Sequence, residues 1–236
     1  MKKLICMIAA LLVLLCGCSQ DKGKADNNTF TVLENGNILS PEGVEYSFLA
    51  NEGILYYIGD LEFLGSIHGE PEYSKHIGYY QTGMFAIQNA ANDHILIRRS
   101  PNSEWFAIYR KASLPEFDYS VDNCQRLSFV PGFVFPDKDF RDLIKGSITD
   151  PTQIASFLST VRAQPDPRDA GLYELIKKPD GFLENCYLYG IVYAFFEEEP
   201  DLVVKMDIFS FNDLAYSIEI EGNEYVLPQH LLEMFE

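Results

Sequence analysis

Residues 186–196 read Cys-Tyr-Leu-Tyr-Gly-Ile-Val-Tyr-Ala-Phe-Phe, and this stretch decides the fold of the second half of the chain. It contains no charged side chain, which is typical of a central strand buried on both faces of a sheet. Because alternate residues of a strand point to opposite faces, parity places Tyr187, Tyr189 and Tyr193 on one face. We expect these tyrosines to lie in a core, and an exposed tyrosine-rich recognition surface is the alternative.

The segments after this strand continue the same sheet. The run Glu197-Glu198-Glu199-Pro200-Asp201 predicts an acidic hairpin tip in contact with solvent. Apolar runs over 202–211 and 214–220, followed by the turn residues Gly222-Asn223, predict further antiparallel strands. Pro228 then marks the start of a terminal helix, because proline is favoured at the first helical position.

Helices are predicted just before the central strand. Asp150 can accept hydrogen bonds from first-turn amides, Pro151 suits the first helical position, and Gln153 completes a variant of the capping box. A shorter helix is predicted over 137–145. The apolar residues of the main helix share one face, because they recur at helical spacing: Ile154, Phe157, Leu158 and Val161.

The first half of the chain consists of short apolar runs separated by turn residues. Asn35-Gly36 between two such runs is a strong hairpin signal, since both residues tolerate a positive φ. We therefore expect an α+β protein, with an antiparallel, β-rich meander in residues 29–130 and short helices plus a further antiparallel sheet in residues 131–236. The two regions can form one domain or two.

The start of the chain has the order of a secretory leader. Two lysines precede an uncharged apolar run over 4–15, and that run is too short to span a bilayer comfortably. Leu15-Cys16-Gly17-Cys18 resembles the lipobox of bacterial lipoproteins. The resemblance implies that residues 1–17 are a signal peptide cleaved after Gly17, and that Cys18 carries acyl chains such as palmitate.

A lipid on Cys18 would determine where the protein resides. Each buried methylene contributes about 0.8 kcal/mol, so two or three acyl chains make detachment from a membrane very slow. Residues 18–28 are polar and predict a flexible tether. We therefore expect an extracytoplasmic protein anchored on the outer face of the plasma membrane, or in an outer membrane where the cell has one.

The charge of the chain restricts its partners. Lys and Arg number 18 and Asp and Glu number 35, a net charge of −17, which becomes −19 once Lys2 and Lys3 leave with the signal peptide. Such a chain repels phosphate backbones, so nucleic-acid binding is not expected. The charge would suit a basic protein partner, which belongs to the alternative function given below.

No catalytic motif is recognised in the sequence, and we expect no enzyme activity, no cofactor and no metal. Gly65-Ser66-Ile67-His68-Gly69 has its serine in the wrong place for a nucleophile elbow. His68 and His76 flank Glu70 and Glu72, but the intervening Gly69 and Pro71 favour a polar loop over a metal site. The single tryptophan, Trp105, does not make a carbohydrate-stacking platform.

Cys124 and Cys186 are the cysteines left when the leader and Cys18 are set aside. An extracytoplasmic protein can form a disulfide. We expect both thiols to be reduced and buried instead, because buried cysteines commonly serve as small apolar residues.

Two further stretches look like those of small bacterial lipoproteins, a group without an assigned activity. They are residues 43–53, which contain Gly43-Val44-Glu45-Tyr46, and residues 102–111, which contain Asn102-Ser103-Glu104-Trp105. The expected function is a non-enzymatic, membrane-anchored interaction module. The alternatives are an immunity or inhibitor lipoprotein that neutralises a basic toxin or enzyme, and, third, a cell-envelope hydrolase.

Overall fold

The computed structural model describes residues 29–51, 55–68, 83–99, 106–132, 140–176 and 185–235. The strands in this part of the chain are β1 (Thr29–Val32), β2 (Ile38–Leu39), β3 (Glu45–Asn51), β4 (Leu55–Tyr57), β5 (Leu61–His68), β6 (Gly83–Ile87), β7 (Ile95–Arg99), β8 (Phe106–Lys111), β9 (Arg126–Pro131), β10 (Gly146–Ile148), β11 (Cys186–Phe195), β12 (Leu202–Phe211), β13 (Ala215–Ile220) and β14 (Asn223–Leu227). The helices are α1 (Pro151–Arg162) and α2 (Gln229–Leu232), and short 3-10 helices cover Val121–Asn123, Arg141–Leu143, Leu172–Leu175 and Glu233–Phe235.

The first half of the chain forms a closed seven-stranded barrel in the order β1-β2-β3-β8-β7-β6-β5. The Asn35-Gly36 hairpin is confirmed, since β1 and β2 pair antiparallel and Gly36 has a φ of +83°. The predicted antiparallel meander is wrong, because β1 closes the barrel by pairing parallel with β5. Parallel closure joins strands far apart along the chain, and local alternation carries no information about it.

The barrel interior is filled by side chains. Every strand of the barrel contributes to one apolar cluster, whose buried members are Phe30, Ile38, Tyr46, Met84, Leu96 and Tyr109. A barrel of this size leaves an interior that side chains can occupy completely. The interior is therefore a packed core.

The second sheet is antiparallel throughout and has the order β10-β9-β11-β12-β13-β14, with β4 also paired to β12. The predicted central position of residues 186–196 is confirmed, since β11 lies between β9 and β12. Strand β4 follows the barrel strand β3 in sequence and pairs with the start of β12. It therefore ties the two halves of the chain together through backbone hydrogen bonds.

The outer face of the barrel packs against one face of the second sheet. Ile97 and Ile108 alternate with interior residues of the barrel, and they share the largest core cluster with Val192, Val204 and Ile218 of the sheet. A second cluster covers the opposite face of the sheet: Ile58, Val130, Phe140, Ile191, Tyr193, Phe195 and Val203. The sheet is thus apolar on both faces along its central strands, as the uncharged sequence of β11 requires.

The capping motif of α1 forms as predicted. The Asp150 carboxylate accepts hydrogen bonds from the amides of Thr152 and Gln153 at 2.9 and 3.0 Å. The predicted apolar stripe is buried: Ile154, Phe157, Leu158 and Val161. No helix in the described part of the chain is long and apolar enough to cross a membrane.

The other predicted helices are shorter than expected, and the protein is mostly β rather than α+β. Within 137–145, residues 137–139 lie outside the described residues, and the remainder forms a 3-10 turn at Arg141–Leu143 ahead of β10. The terminal helix covers Gln229–Leu232 and continues as a 3-10 turn. Local preferences for helix were overridden here because β10 pairs with β9 and the C-terminal turn packs beside it.

Candidate functional site

The hairpin tip between β11 and β12, residues 196–201, is in contact with both halves of the protein. Glu197 and Glu198 are exposed, as the sequence predicts. The prediction is wrong for Glu199, whose side chain is only 3% exposed. Its carboxylate lies between two side chains of the barrel, with Oε2 2.7 Å from His94 Nε2 and Oε1 3.0 Å from Arg110 Nε.

Further polar contacts surround this buried carboxylate. Asp201 accepts a hydrogen bond from the Ala91 amide at 2.8 Å, and Asn92 Nδ2 donates to the Glu198 carbonyl at 3.3 Å. The Tyr119 hydroxyl is buried without a well-formed hydrogen bond, and burial together with the nearby Glu199 charge raises its pKa. Since the carboxylate of Glu199 is taken up by two internal partners, we interpret the cluster as the attachment of the tip to the barrel.

A cleft of about 670 Å³ borders the tip at Phe196, Glu197 and Pro200. Its walls come from the start of β9, the 3-10 turn after Phe140, the loop after β10 and the end of β11. The lining residues are Gln125, Arg126, Arg141, Thr149, Phe195, Phe196, Glu197 and Pro200. This volume lies within the range of about 300–1,000 Å³ found for small-molecule sites.

Arg126 is one of the charged residues that line the cleft. It lies opposite Phe195 in the β9–β11 pairing, and its guanidinium carbon is 3.8 Å from the centre of the Phe195 ring. The Nε atom is buried and has no hydrogen-bond partner. Burial, followed by repulsion from Arg141, lowers the pKa of Arg126. The positive charge is therefore incompletely compensated by its surroundings.

Gln125 holds the rim of the cleft in place. Its backbone amide donates to the Phe195 carbonyl at 3.0 Å, and its side-chain oxygen accepts from the Glu197 amide at 2.9 Å. Its Nε2 donates to the Asn123 carbonyl at 2.7 Å. The end of β11 and the start of the tip are thus attached to β9, so the cleft is largely preformed.

The three tyrosines of β11 do not share one environment. Tyr193 is 3% exposed and stacks on Phe140 with ring centres 3.9 Å apart. Burial and, secondarily, the Asp207 charge raise its pKa. Tyr187 is 45% exposed and its hydroxyl donates to Asp213, so it does not lie in the core. Tyr189 is half-buried.

A β-bulge explains why parity misplaces Tyr189. The pairing with β12 shifts between Leu188 and Gly190. Leu188 consequently packs with Tyr193, whereas Tyr189 stacks on Phe129 in the other cluster at 6.0 Å between ring centres. Gly190 is needed at this point, because a Cβ would lie 2.4 Å from the Phe129 ring. A bulge inserts one extra residue and thereby exchanges the faces that follow.

The remaining candidates do not converge on a site. Cys124 and Cys186 are both free thiols in the structure; Cys124 is buried, whereas Cys186 is exposed, contrary to the expectation. Burial raises the pKa of Cys124 to about 11. His68 is exposed, and Glu70, Glu72, His76 and Trp105 lie outside the described residues, as do Gly17 and Cys18. Within the described ranges no group of His, Cys, Asp or Glu side chains is arranged to hold a metal.

Sequence reasoning did not single out Arg126 or Arg141. Each is an isolated arginine, and they are fifteen positions apart in an acidic chain. The usable signal is weak: Arg126 lies near the end of the predicted β-rich region, residues 29–130, and Arg141 lies in the helix predicted over 137–145. Their proximity arises only when the 3-10 turn packs beside the β9–β11 pair.

Comparisons of the chain with protein-family models, with curated proteins and with solved structures find no match.

Proposed function

We propose that this protein is a lipid-anchored, extracytoplasmic and non-enzymatic binding module, and that the cleft beside the hairpin tip is its binding site. The observation that carries this proposal is the cleft itself. Its walls combine aromatic rings, a guanidinium group and the exposed polar side chains of Thr149 and Gln125. Aromatic surface and a few oriented polar groups are the usual components of a ligand site.

The membrane anchor is tested by the substitution Cys18→Ala. We expect the variant to leave the membrane fraction and to lack the mass of the acyl chains, because the thiol that would carry the lipid is absent. Cell fractionation and intact mass spectrometry measure the two effects. Cys16→Ala is the matched control and should remain in the membrane. Full membrane retention of Cys18→Ala with an unchanged lipid mass would show that the anchor is elsewhere.

The cleft is tested by filling it. Thr149 is exposed and lines the cleft, so Thr149→Trp should occupy the space without disturbing the core. The thermal unfolding of the full-length protein in a non-ionic detergent is measured in the presence of small anions, cations, sugars and short peptides. A ligand at about 100 times its Kd adds about 2.7 kcal/mol of stability. We expect at least one class to stabilise the wild type and not Thr149→Trp.

Ser156→Trp is the matched control for this experiment, since Ser156 is exposed on α1 and does not line the cleft. Its ligand response should equal that of the wild type. Ligand responses that are the same in both tryptophan variants would rule out the cleft as the binding site. Mass spectrometry of the recovered ligand separates binding from hydrolysis, and conversion of the ligand would favour the envelope hydrolase.

An immunity or inhibitor role is the second candidate, and the strongly acidic chain supports it. Complementary charge accelerates association and selects partners of opposite sign. In this case a basic protein would bind with an affinity that falls steeply with salt. Such binding would be unaffected by Thr149→Trp, which distinguishes this role from ligand binding in the cleft.

A further inference from the structure

We propose that the cleft binds an oxyanion, a carboxylate or a phosphate, carried by a small and partly apolar molecule, with Arg126 as the principal recognition residue. This inference rests on the proposed function, since it names the ligand class of the same cleft. The chain carries a net charge of −17, yet two of the three charged side chains among the described lining residues, Arg126 and Arg141, are arginines.

The positive charge of Arg126 is incompletely compensated by its surroundings. Its Nε is buried without a partner, and a buried donor left unpaired destabilises a protein. Arg141 lies near enough to repel it. An anion between the two guanidinium groups would remove both penalties, because it attracts each cation and screens their repulsion.

The guanidinium group of Arg126 is held against an aromatic ring. Its central carbon lies 3.8 Å from the centre of the Phe195 ring, and this cation–π contact restricts the positions that the group can adopt. Donors of a guanidinium point along the edge of its plane, which is the geometry that pairs with two oxygens of a carboxylate or phosphate. Arg126 is therefore oriented before the ligand arrives, and less entropy is lost on binding.

The apolar walls of the cleft and its single carboxylate restrict the chemistry and the charge of the ligand. Phe196 and Pro200 add apolar wall beside Phe195, which suits an apolar group attached to the anion. Glu197 is exposed on the rim and is the one carboxylate among the described lining residues. Its negative charge disfavours ligands with several phosphates. A single oxyanion on an apolar scaffold fits these features best.

The test uses benzoate, phenyl phosphate and the uncharged benzamide as probes, with isothermal titration calorimetry on the full-length protein in a non-ionic detergent. We expect both anions to bind and benzamide to bind at least about tenfold more weakly, since it lacks the charge that Arg126 recognises. The ratio of the two anion affinities identifies carboxylate or phosphate as the preferred group. Inorganic phosphate should bind more weakly than phenyl phosphate, because it lacks the apolar part.

The variants separate the role of Arg126 from general electrostatics. Arg126→Gln should lower the affinity for benzoate or phenyl phosphate by about tenfold or more. Arg168→Gln removes an exposed arginine outside the cleft and should change neither affinity by more than about twofold. Arg141→Gln is a second test for the case in which Arg126→Gln fails to fold. Arg141 is exposed and lines the cleft, so its substitution should weaken the binding of both anions several-fold.

Three outcomes would overturn the oxyanion inference. They are equal binding of benzoate and benzamide, equal effects of Arg126→Gln and Arg168→Gln in a folded protein, or no binding of either anion at about 10 mM. If a neutral or cationic ligand stabilises the wild type but not Thr149→Trp, the cleft remains the binding site and only the ligand class is wrong. If no ligand distinguishes Thr149→Trp from Ser156→Trp, the proposed function itself fails.

Discussion

Replacing Glu199 with Ala is expected to lower the free energy of unfolding by about 3–5 kcal/mol, the range for removing one partner of a buried ion pair. The carboxylate is 3% exposed and contacts Arg110 Nε at 3.0 Å and His94 Nε2 at 2.7 Å. Without it, Arg110 would keep its charge in a largely buried position with reduced compensation. Urea unfolding followed by circular dichroism measures the change.

The neighbouring Glu198 supplies a matched control. Its side chain is exposed, and its backbone carbonyl accepts a hydrogen bond from Asn92 Nδ2, which the substitution to Ala leaves in place. Glu198→Ala should therefore change stability by no more than about 0.5 kcal/mol. Glu199→Gln keeps the shape and removes the charge, so it separates packing from electrostatics. Equal stability of Glu199→Ala and Glu198→Ala would show that the buried cluster does not hold the tip on the barrel.

Tyr193→Ala is expected to destabilise the protein by about 3–5 kcal/mol, as large-to-small changes of buried aromatic residues do. The ring is 3% exposed and lies between the sheet and Phe140, so its loss leaves a cavity beside the stacked Phe140 ring. Thermal and urea unfolding of the purified variant measure the loss.

Tyr187→Ala and Tyr189→Ala provide a graded series on the same strand. Tyr187 is exposed, so its removal should leave the unfolding midpoint nearly unchanged. Tyr189 is half-buried and contacts Phe129 and Tyr216, with ring centres 6.0 and 4.8 Å away, so its loss should have an intermediate effect. Equal destabilisation by Tyr187→Ala and Tyr193→Ala would mean that the two ends of β11 are buried alike, contrary to the structure.

Features that depend on neighbouring residues were predictable from the sequence. The cap of α1 forms because the Asp150 side chain reaches amides two and three residues away. The Asn35-Gly36 turn forms because Gly36 adopts a positive φ without steric cost. The central position of β11 follows from its lack of charge, since an uncharged strand must be covered on both faces.

Features that depend on contacts between residues far apart in the chain were not predictable from the sequence. At the bulge between Leu188 and Gly190, the glycine lies against the ring of Phe129, which is some sixty positions earlier in the chain. The bulge places Tyr189 on the face opposite to the one that strand parity predicts. Glu199 is buried because Arg110 of the barrel pairs with its carboxylate and His94 Nε2 lies within hydrogen-bond distance of it, although an isolated run of three glutamates favours solvent. Neither partner is recognisable from the sequence around the tip.

Most strands, the N-cap of α1, the acidic charge and the expectation of a lipid on Cys18 follow from the sequence, because each depends on spacing or composition within a short segment. Three features are visible only in the folded protein: β1 closes a barrel on β5, Glu199 is buried, and Arg126 and Arg141 line one cleft. These features depend on which surfaces meet when the barrel and the sheet bury their apolar faces together. The hydrophobic effect favours the burial of apolar area but does not specify which two surfaces are buried against each other. The packing of the whole chain therefore selects the surfaces that meet.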